Sequence, residues 1–299
     1  MRVDPNMSAM ISAGINSTAQ ALNTSIQQLS SGLSVSAPSD NPYAAASNAR
    51  SLASSANVDR YTKNADAVMS RAQMADSALS SVVSELTQAL SLGTEGADGS
   101  MTPGNRAAIA TQLQGVLQQV VSQANLSYNG SSLFAGTSGT TTPFVADASS
   151  ASGYTYQGNS GVNQATIGDG LTVNTNVPGD QIFTSSNGNV LGSLSQLISA
   201  VSSGNATDIA SATSAVSTAI SHIGQQRAVY GGTVNQINAQ ESYLSQESVS
   251  LSSQQNALVG IDTANVIQTM TQAQTAHSAV LAAAAKILPT SLLNYLSPQ

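Results

Sequence analysis

Along the second half of the chain, apolar residues recur at every seventh position: Ile209, Val216, Ile223, Tyr230, Ile237, Leu244, Leu251 and Leu258. A single phase held this long predicts a long helix that keeps one face against partners. Ordinary amphipathic helices of a globular core seldom stay in register over such a length, so a bundle helix is the better reading. The companion positions are weaker: Thr213, Ile220, Arg227, Val234, Glu241, Ser248 and Gln255. After Leu258 the frame slips by one residue. It resumes as Val259, Val266, Ala273, Val280 and Ile287, with Met270, His277 and Ala284 at companion sites. The slip falls on "GIDTAN", where Gly260 weakens the helix and Asp262 or Thr263 can cap a new one. Two helical segments are therefore expected, each turning its stripe to a different partner.

The N-terminus mirrors this pattern. Ile15, Ala19, Leu22, Ile26, Leu29 and Leu33 form a heptad seam. The seam stops at "SAPSDNPYAAAS", where Gly32 and Pro38 end the helix. Asn41 as N-cap and Pro42 at the first helical position then start another, with Asp40 near its positive end. Val68, Ala72, Ala75, Leu79, Val82, Leu86 and Leu90 make the next stripe. "GTEGADGSMTPGN" is a turn, and Ile109, Leu113, Val116 and Val120 begin a further helix just after Pro103.

Proline placement agrees. No proline lies between Pro42 and Pro103, or between Pro178 and Pro289. Proline deletes a helix hydrogen bond and clashes with the preceding turn, so proline-free windows suit long helices.

From about residue 128 to 189 the character changes to Gly, Thr, Asn and Ser, with strand-like runs "YTYQG", "QATIGDGLTVNTNV" and "QIFTS". Alternation at Ala165, Ile167, Leu171 and Val173 predicts short strands around a Gly-Asp-Gly turn. Phe134, Phe144 and Phe183, all the phenylalanines of the chain, fall here. They predict a compact insert with its own aromatic core. The fold class expected is mainly α (α+β overall). Long N- and C-terminal helices pair as a coiled coil or bundle, because neither apolar seam can stay exposed. A small β-rich insert lies in the middle. The expected division is 1–38 with 261–299 as a terminal coiled-coil domain, 39–127 with 190–260 as a long-helix bundle, and 128–189 as the insert.

Composition narrows the chemistry. Only 8% of the 299 residues are charged, the net charge is −7, and there is no Cys or Trp. Disulfides, thiol catalysis and zinc–thiolate sites are excluded. Eight scattered Lys and Arg make no basic stripe, so no nucleic-acid partner is expected. No apolar run is long enough to span a membrane, and the opening "MRVDPNMSAM" shows no apolar signal-peptide core. The two histidines, His222 and His277, are far apart. His277 sits on the C-terminal seam, and with no paired ligand or nucleophile motif a packing or interface role outweighs a catalytic one. Asp59, Lys63 and Asp66 share a helix face and read as an exposed ion-pair cluster rather than a carboxylate dyad. "GDG" and "PGD" read as turns rather than phosphate or calcium loops, since no adjacent helix or full ligand series follows. "GGT", Gly231 to Thr233, reads as a bend or a close helix approach inside the long helix. No catalytic residue, metal ligand or cofactor is expected.

The residues also carry a resemblance. "LNTSIQQLSSGLSVSAPSDNPYAA" resembles the N-terminal motif of the flagellin superfamily, in which a helix ends in a Leu-Ser-Ser/Thr-Gly segment. Within that superfamily, "PSDNPYAA" is similar to the Pro-Ser-Asp-Asp-Pro-x-Ala-Ala pattern of the hook–filament junction branch. Flagellin itself typically carries an Asp-Asp-Ala-Ala-Gly type sequence there. "MRV" at the start, "LFAGT", "YTYQGNSG" and "SLLNYL" match the junction branch as well. Asn41 stands where a second Asp is commoner; it removes one charge and leaves a good helix cap.

The resemblance implies a structural, non-enzymatic role in a ring homo-oligomer between hook and filament, under the filament cap protein during assembly. The first hook-associated protein is the implied partner on the hook side and flagellin on the filament side. A cytoplasmic chaperone is the implied partner of the C-terminal region. Export would run through the flagellar type III apparatus without a cleaved signal, to an extracellular place in the flagellum. The terminal helices would form an inner coiled-coil tube. The expected N-terminal interface is Ile15, Leu22, Ile26, Leu29 and Leu33. The C-terminal one is Val266, Met270, Ala273, His277, Val280, Ile287, Leu292, Leu293, Tyr295 and Leu296. Pro38, Ser39, Asp40, Asn41, Pro42, Gly260 and Asp262 form the expected joint between domains. A flagellin filament subunit is the alternative, followed by an unrelated coiled-coil interaction or secretion protein.

Overall fold

The structure, a computed structural model, describes the backbone of residues 5–296 and the side chains of residues 9–286. The elements run α1 (Pro5–Ser31), α2 (Pro42–Gly96), α3 (Pro103–Ala124), β1 (Ser127–Tyr128), β2 (Ser131–Ser132), β3 (Phe144–Ala146), β4 (Tyr154–Tyr156), β5 (Gln164–Gly168), β6 (Leu171–Asn174), α4 (Gly179–Phe183), α5 (Val190–Ser203), α6 (Ala206–Val259) and α7 (Thr263–Leu296). The mainly α class with a small β-rich middle is what the sequence pattern predicts. By their contacts the described residues fall into two units. One holds residues up to Asn57 and from Gln246 onward; the other is Val58–Ser245. The long helices α2 and α6 contribute to both.

The core of the 58–245 unit is built on the predicted stripes. Leu79, Val82 and Leu86 of α2, Leu113, Val116 and Val120 of α3, and Val216 and Ile223 of α6 are all buried together. On α6 the heptad phase stays buried from Ile209 through Tyr230 and Ile237 to Leu244. Each such side chain contributes roughly 1.5–3 kcal/mol on burial. The weak companion position Arg227 is explained by α2: its guanidinium donates to both carboxylate oxygens of Asp76, at 2.8 and 3.2 Å. The side chains are 35% and 40% exposed, so solvent screening leaves the pair to orient the helices more than it stabilises them.

The caps follow local rules. Thr102 accepts from the Asn105 amide at 3.2 Å and Pro103 takes the first position of α3. Asn189 caps α5, and Gly204 ends it with φ +75.

Three antiparallel hairpins make up the middle: β1–β2, β3–β4 and β5–β6. The turn predicted at "GDG" joins β5 to β6, with Ala165 opposite Val173 and Gly168 opposite Leu171. Gly170 takes φ +65 there. The hairpin lays Ile167 and Val173 on Ala65, Val68 and Ile237.

Four expectations need correction. "QIFTS" is not a strand; Ile182 and Phe183 lie in α4, opened by Pro178 in an extended conformation. β-type residues there bury their side chains as well from one helical turn as from a strand. The insert also lacks a separate aromatic core. Phe183 meets Phe134 and Phe144 edge-on, each at 5.4 Å, but all three belong to the same cluster as the helix stripes. The side chain of Asn125 holds Phe144 in place by two 2.8 Å bonds to its backbone. Thirdly, nothing lies within 4 Å of a Cβ placed on Gly231 or Gly232. The close helix approach occurs instead at Gly93 and Gly96, where a Cβ would come within 3.0–3.1 Å of Leu197 and 3.1 Å of Val201 on α5. Lastly, Asp66 lies near another carboxyl, Glu241 of α6: burial, then this like charge, raises the Glu241 pKa.

Candidate functional site

The candidate site is the unit formed by the two ends of the chain. Helix α1 contains no Asp, Glu, Lys or Arg at all, and α7 contains only Lys286. With so little charge, pairing rests largely on shape and small-residue packing. The helices run antiparallel: Gly14 meets Val280, whose methyl lies 3.5 Å from a Cβ placed on the glycine. One turn on, Thr18 Oγ and His277 Nδ1 are 2.9 Å apart.

The far end of the pair is tied by backbone. Gly32 leaves α1 with φ +72, donating to the Gln28 carbonyl at 2.8 Å. A residue with a side chain disfavours this left-handed conformation, which is why Gly ends the helix here. Leu33 then forms an antiparallel bridge with Gly260, and the Ser34 amide donates to the Val259 carbonyl at 2.7 Å. The slip in the heptad at "GIDTAN" is thus the place where the returning chain leaves α6 and meets the exit of α1.

The residues around this bridge have distinct jobs. Asp40 accepts from the Ser36 and Ala37 amides at 3.1 and 2.9 Å, closing the loop that contains Pro38 and Ser39. That contact, beyond the favourable charge near a helix start, sets the loop's shape. Asn41 accepts from the Ala44 amide at 3.0 Å, and Pro42 is the first residue of α2. Asp262 accepts from the Ala264 and Asn265 amides at 3.0 and 3.3 Å and starts α7.

The predicted seams meet this geometry unevenly. On α7, Val266, Met270, His277 and Val280 are half-buried, and Ala273 and Ala284 are buried, so burial follows the predicted phase. Ile287, Leu292, Leu293, Tyr295 and Leu296 lie outside the described side chains. On α1, Ile15, Ala19 and Leu22 are half-buried, whereas Ile26, Leu29 and Leu33 remain 49%, 38% and 40% exposed. The covered stripe runs instead through Thr18 and Ser25, the latter 3% exposed with its hydroxyl donating to the Ala21 carbonyl at 3.0 Å. Sequence reasoning passed over these two because apolar periodicity does not register hydroxyls that satisfy themselves on their own helix. Ile267 and Leu281 of α7 are each 45% exposed. The unit therefore presents large apolar side chains on faces that the single chain leaves uncovered.

Among the described residues, nothing in this arrangement gathers reactive groups. Among the described residues, no group of three or more His, Asp or Glu could hold a metal ion. His222 is 6% exposed and its Nε2 bonds the Gln181 carbonyl at 2.9 Å, a satisfied packing role. Tyr230 is buried with its pKa pushed up to about 12 by desolvation, its oxygen accepting from the Val177 amide. The groove between α5 and α6 is lined by Ser195, Ser199, Ser211 and Ala212 around a single acid, Asp208. No described helix is long and apolar enough to cross a membrane.

Comparison with known proteins bears on this geometry. The model of the bacterial flagellin N-terminal helical region matches residues 4–139, and that of the flagellin C-terminal helical region matches residues 213–296. No curated protein matches the sequence. Among solved structures, a provisionally assigned flagellar hook-associated protein from Vibrio parahaemolyticus superposes with a TM-score of 0.68 at 21% identity, covering 74% of this chain and 100% of that one. Bacillus cereus FlgL follows at 0.60 and 22% identity, covering 69% and 99%. The flagellar junction protein FlgL from Legionella pneumophila gives 0.60 and 14%, covering 72% and 100%. With both helical regions of the family matched over well over half of its length, the chain belongs to the bacterial flagellin family, structural proteins of the flagellum, and it has the fold of the hook-associated members.

Proposed function

We propose that this chain is a hook–filament junction protein, acting as a ring of identical subunits between the hook-associated zone and the flagellin filament. The observation that carries the reading is the terminal unit. Its two helices, with Lys286 the single Lys, Arg, Asp or Glu between them, pair with each other and still leave Ile26, Leu29, Ile267 and Leu281 uncovered. Apolar side chains exposed in this density mark an interaction surface. Identical subunits stacked head to tail supply repeated, heterologous contacts that cover such faces, and few charges avoid like-charge repulsion between copies.

The finer assignments belong to the same proposal. The first hook-associated protein would contact the ring on the hook side and flagellin on the filament side. An export chaperone would hold the C-terminal seam before secretion. The mature protein would reside outside the cell, acting without catalysis or cofactor. The "PSDNPYAA" loop, with Asp40 closing it and Asn41 capping α2, supports the junction reading over flagellin itself.

Complementation tests this. Expressed in a junction-deficient strain, the chain should restore filament attachment, and the purified protein should not polymerise into long filaments alone. Spontaneous filaments without rescue would assign it as a filament subunit instead.

A further inference from the structure

The pairing of α1 with α7 is built on a repeat that offers α7 two places to dock. His277 meets Thr18, whose hydroxyl donates its own proton to the Gly14 carbonyl at 2.9 Å. A hydroxyl that donates to its own helix leaves its oxygen able to accept from an imidazole Nδ1–H. Seven residues further along α1 stands Ser25, in the same pose: its proton goes to the Ala21 carbonyl at 3.0 Å and its oxygen is buried on the covered face. Among the described residues no donor bonds that oxygen. The neighbours repeat in kind as well, Gly14 with Ala21, Ile15 with Leu22, and Leu22 with Leu29. A slide of one heptad along the axis, about 10.5 Å, would bring His277 to Ser25 and Val280 to Ala21 with similar packing. Leu29, exposed in the present register, would be drawn into the seam.

The helix contacts alone therefore discriminate weakly between two registers. The discriminating element is the tie at the exit of α1, where Leu33 bridges Gly260 and the Ser34 amide donates to the Val259 carbonyl. The residues between Gly32 and Asn41 form a connector that, extended, spans about 30 Å, enough to follow such a slide. We propose that α1 and α7 form a two-register pair, with Thr18 and Ser25 as alternative docks for His277, held in the observed register by the Leu33–Gly260 tie. Axial sliding between the two would let the terminal helices change length of overlap without losing their pairing.

The chain has no cysteine, so engineered cross-links report register directly. In the full-length protein, the pair G14C/V280C reports the observed register and A21C/V280C the shifted one. With the tie intact, oxidation should close the first pair and leave the second open. Adding Ser34→Pro, which removes the donating amide, should raise the A21C/V280C cross-linked fraction by about fivefold, the change expected for loss of one hydrogen bond. Thr18→Val, which removes the dock itself and keeps the branched shape, should shift the same fraction in the same direction. Circular dichroism on each variant separates sliding from unfolding, and if Ser34→Pro loses helicity the Thr18→Val arm decides. Cross-linking that stays confined to G14C/V280C in helical protein, or A21C/V280C closing equally with the tie intact, would overturn the proposal.

Discussion

Thr18 and His277 lie 259 residues apart in sequence and are hydrogen-bonded at 2.9 Å. They are a polar contact in a helix pair whose described seam is built largely from glycine, alanine and aliphatic side chains. One such polar contact inside an apolar seam limits the pairing to registers that place a hydroxyl opposite His277, at little gain in stability. The Leu33–Gly260 bridge then selects the observed one.

Val280 is the apolar counterpart of that contact, its methyl 3.5 Å from a Cβ placed on Gly14. Val280→Asp puts a carboxylate against the uncharged face of α1. The variant is expected to keep the 58–245 unit folded, to lose protection of residues 5–31 and 263–286 in limited proteolysis, and to fail to incorporate at the junction. Leu29→Asp should incorporate as poorly while leaving the α1–α7 pair protected, since Leu29 is already exposed in the single chain. Normal filament attachment in both variants would remove the terminal helices from the assembly surface.

The three phenylalanines predict a steep local dependence. Phe183 is fully buried and contacts both Phe134 and Phe144. Phe183→Ala should cost about 3–5 kcal/mol in chemical denaturation of the 58–245 unit. Because the same cluster includes the α2, α3 and α6 stripes, helix and hairpin signals should be lost together rather than in two steps.

Glycines on the two long helices should respond with opposite signs. Gly93→Ala introduces a Cβ 3.0–3.2 Å from Leu197 and Thr213 and is expected to destabilise. Overpacking of this kind costs about 1–3 kcal/mol, more than alanine's helix advantage of about 1 kcal/mol. Gly231→Ala meets open space and should stabilise by about 0.5–1 kcal/mol. Thermal melts of the two variants, run side by side, check both.

Glu241 gives a dependence on pH. Burial, then the nearby Asp66, raises its pKa in the folded chain. A carboxyl whose folded pKa exceeds its unfolded one binds its proton more tightly when folded. Its charged form therefore opposes folding, and stability falls as pH rises through that raised value. Glu241→Gln should melt higher than the parent at pH 7, with the gap closing as pH drops below the ordinary glutamate range. A gap that persists at low pH would mean that packing, not charge, is responsible.

Capping predictions are local. Asn41→Ala removes the acceptor of the Ala44 amide, and Asp262→Ala that of the Ala264 and Asn265 amides. Each should cost about 0.5–2 kcal/mol of helix stability, read by hydrogen exchange in the first turn of α2 or α7.

Much of this architecture was legible before folding. The heptad from Ile209 to Leu258, the stripe from Val68, the breakers at Gly32, Pro42 and Gly260 and the caps at Asn41 and Asp262 all act through neighbours within a turn or two. A residue's spacing, its missing amide or its short side-chain oxygen determines such features whatever the rest of the chain does. Tertiary structure decided what depends on which element arrives opposite. It placed Phe183 in a helix rather than a strand, because a single turn could deliver it to Phe134 and Phe144. It put the close helix approach at Gly93 and Gly96 rather than at Gly231, because α5 lies across the former while a Cβ on Gly231 would meet no atom within 4 Å. It turned Thr18 and Ser25, silent in a hydrophobic pattern, into seam residues, since a hydroxyl that donates to its own helix can be buried cheaply and still accept from a partner.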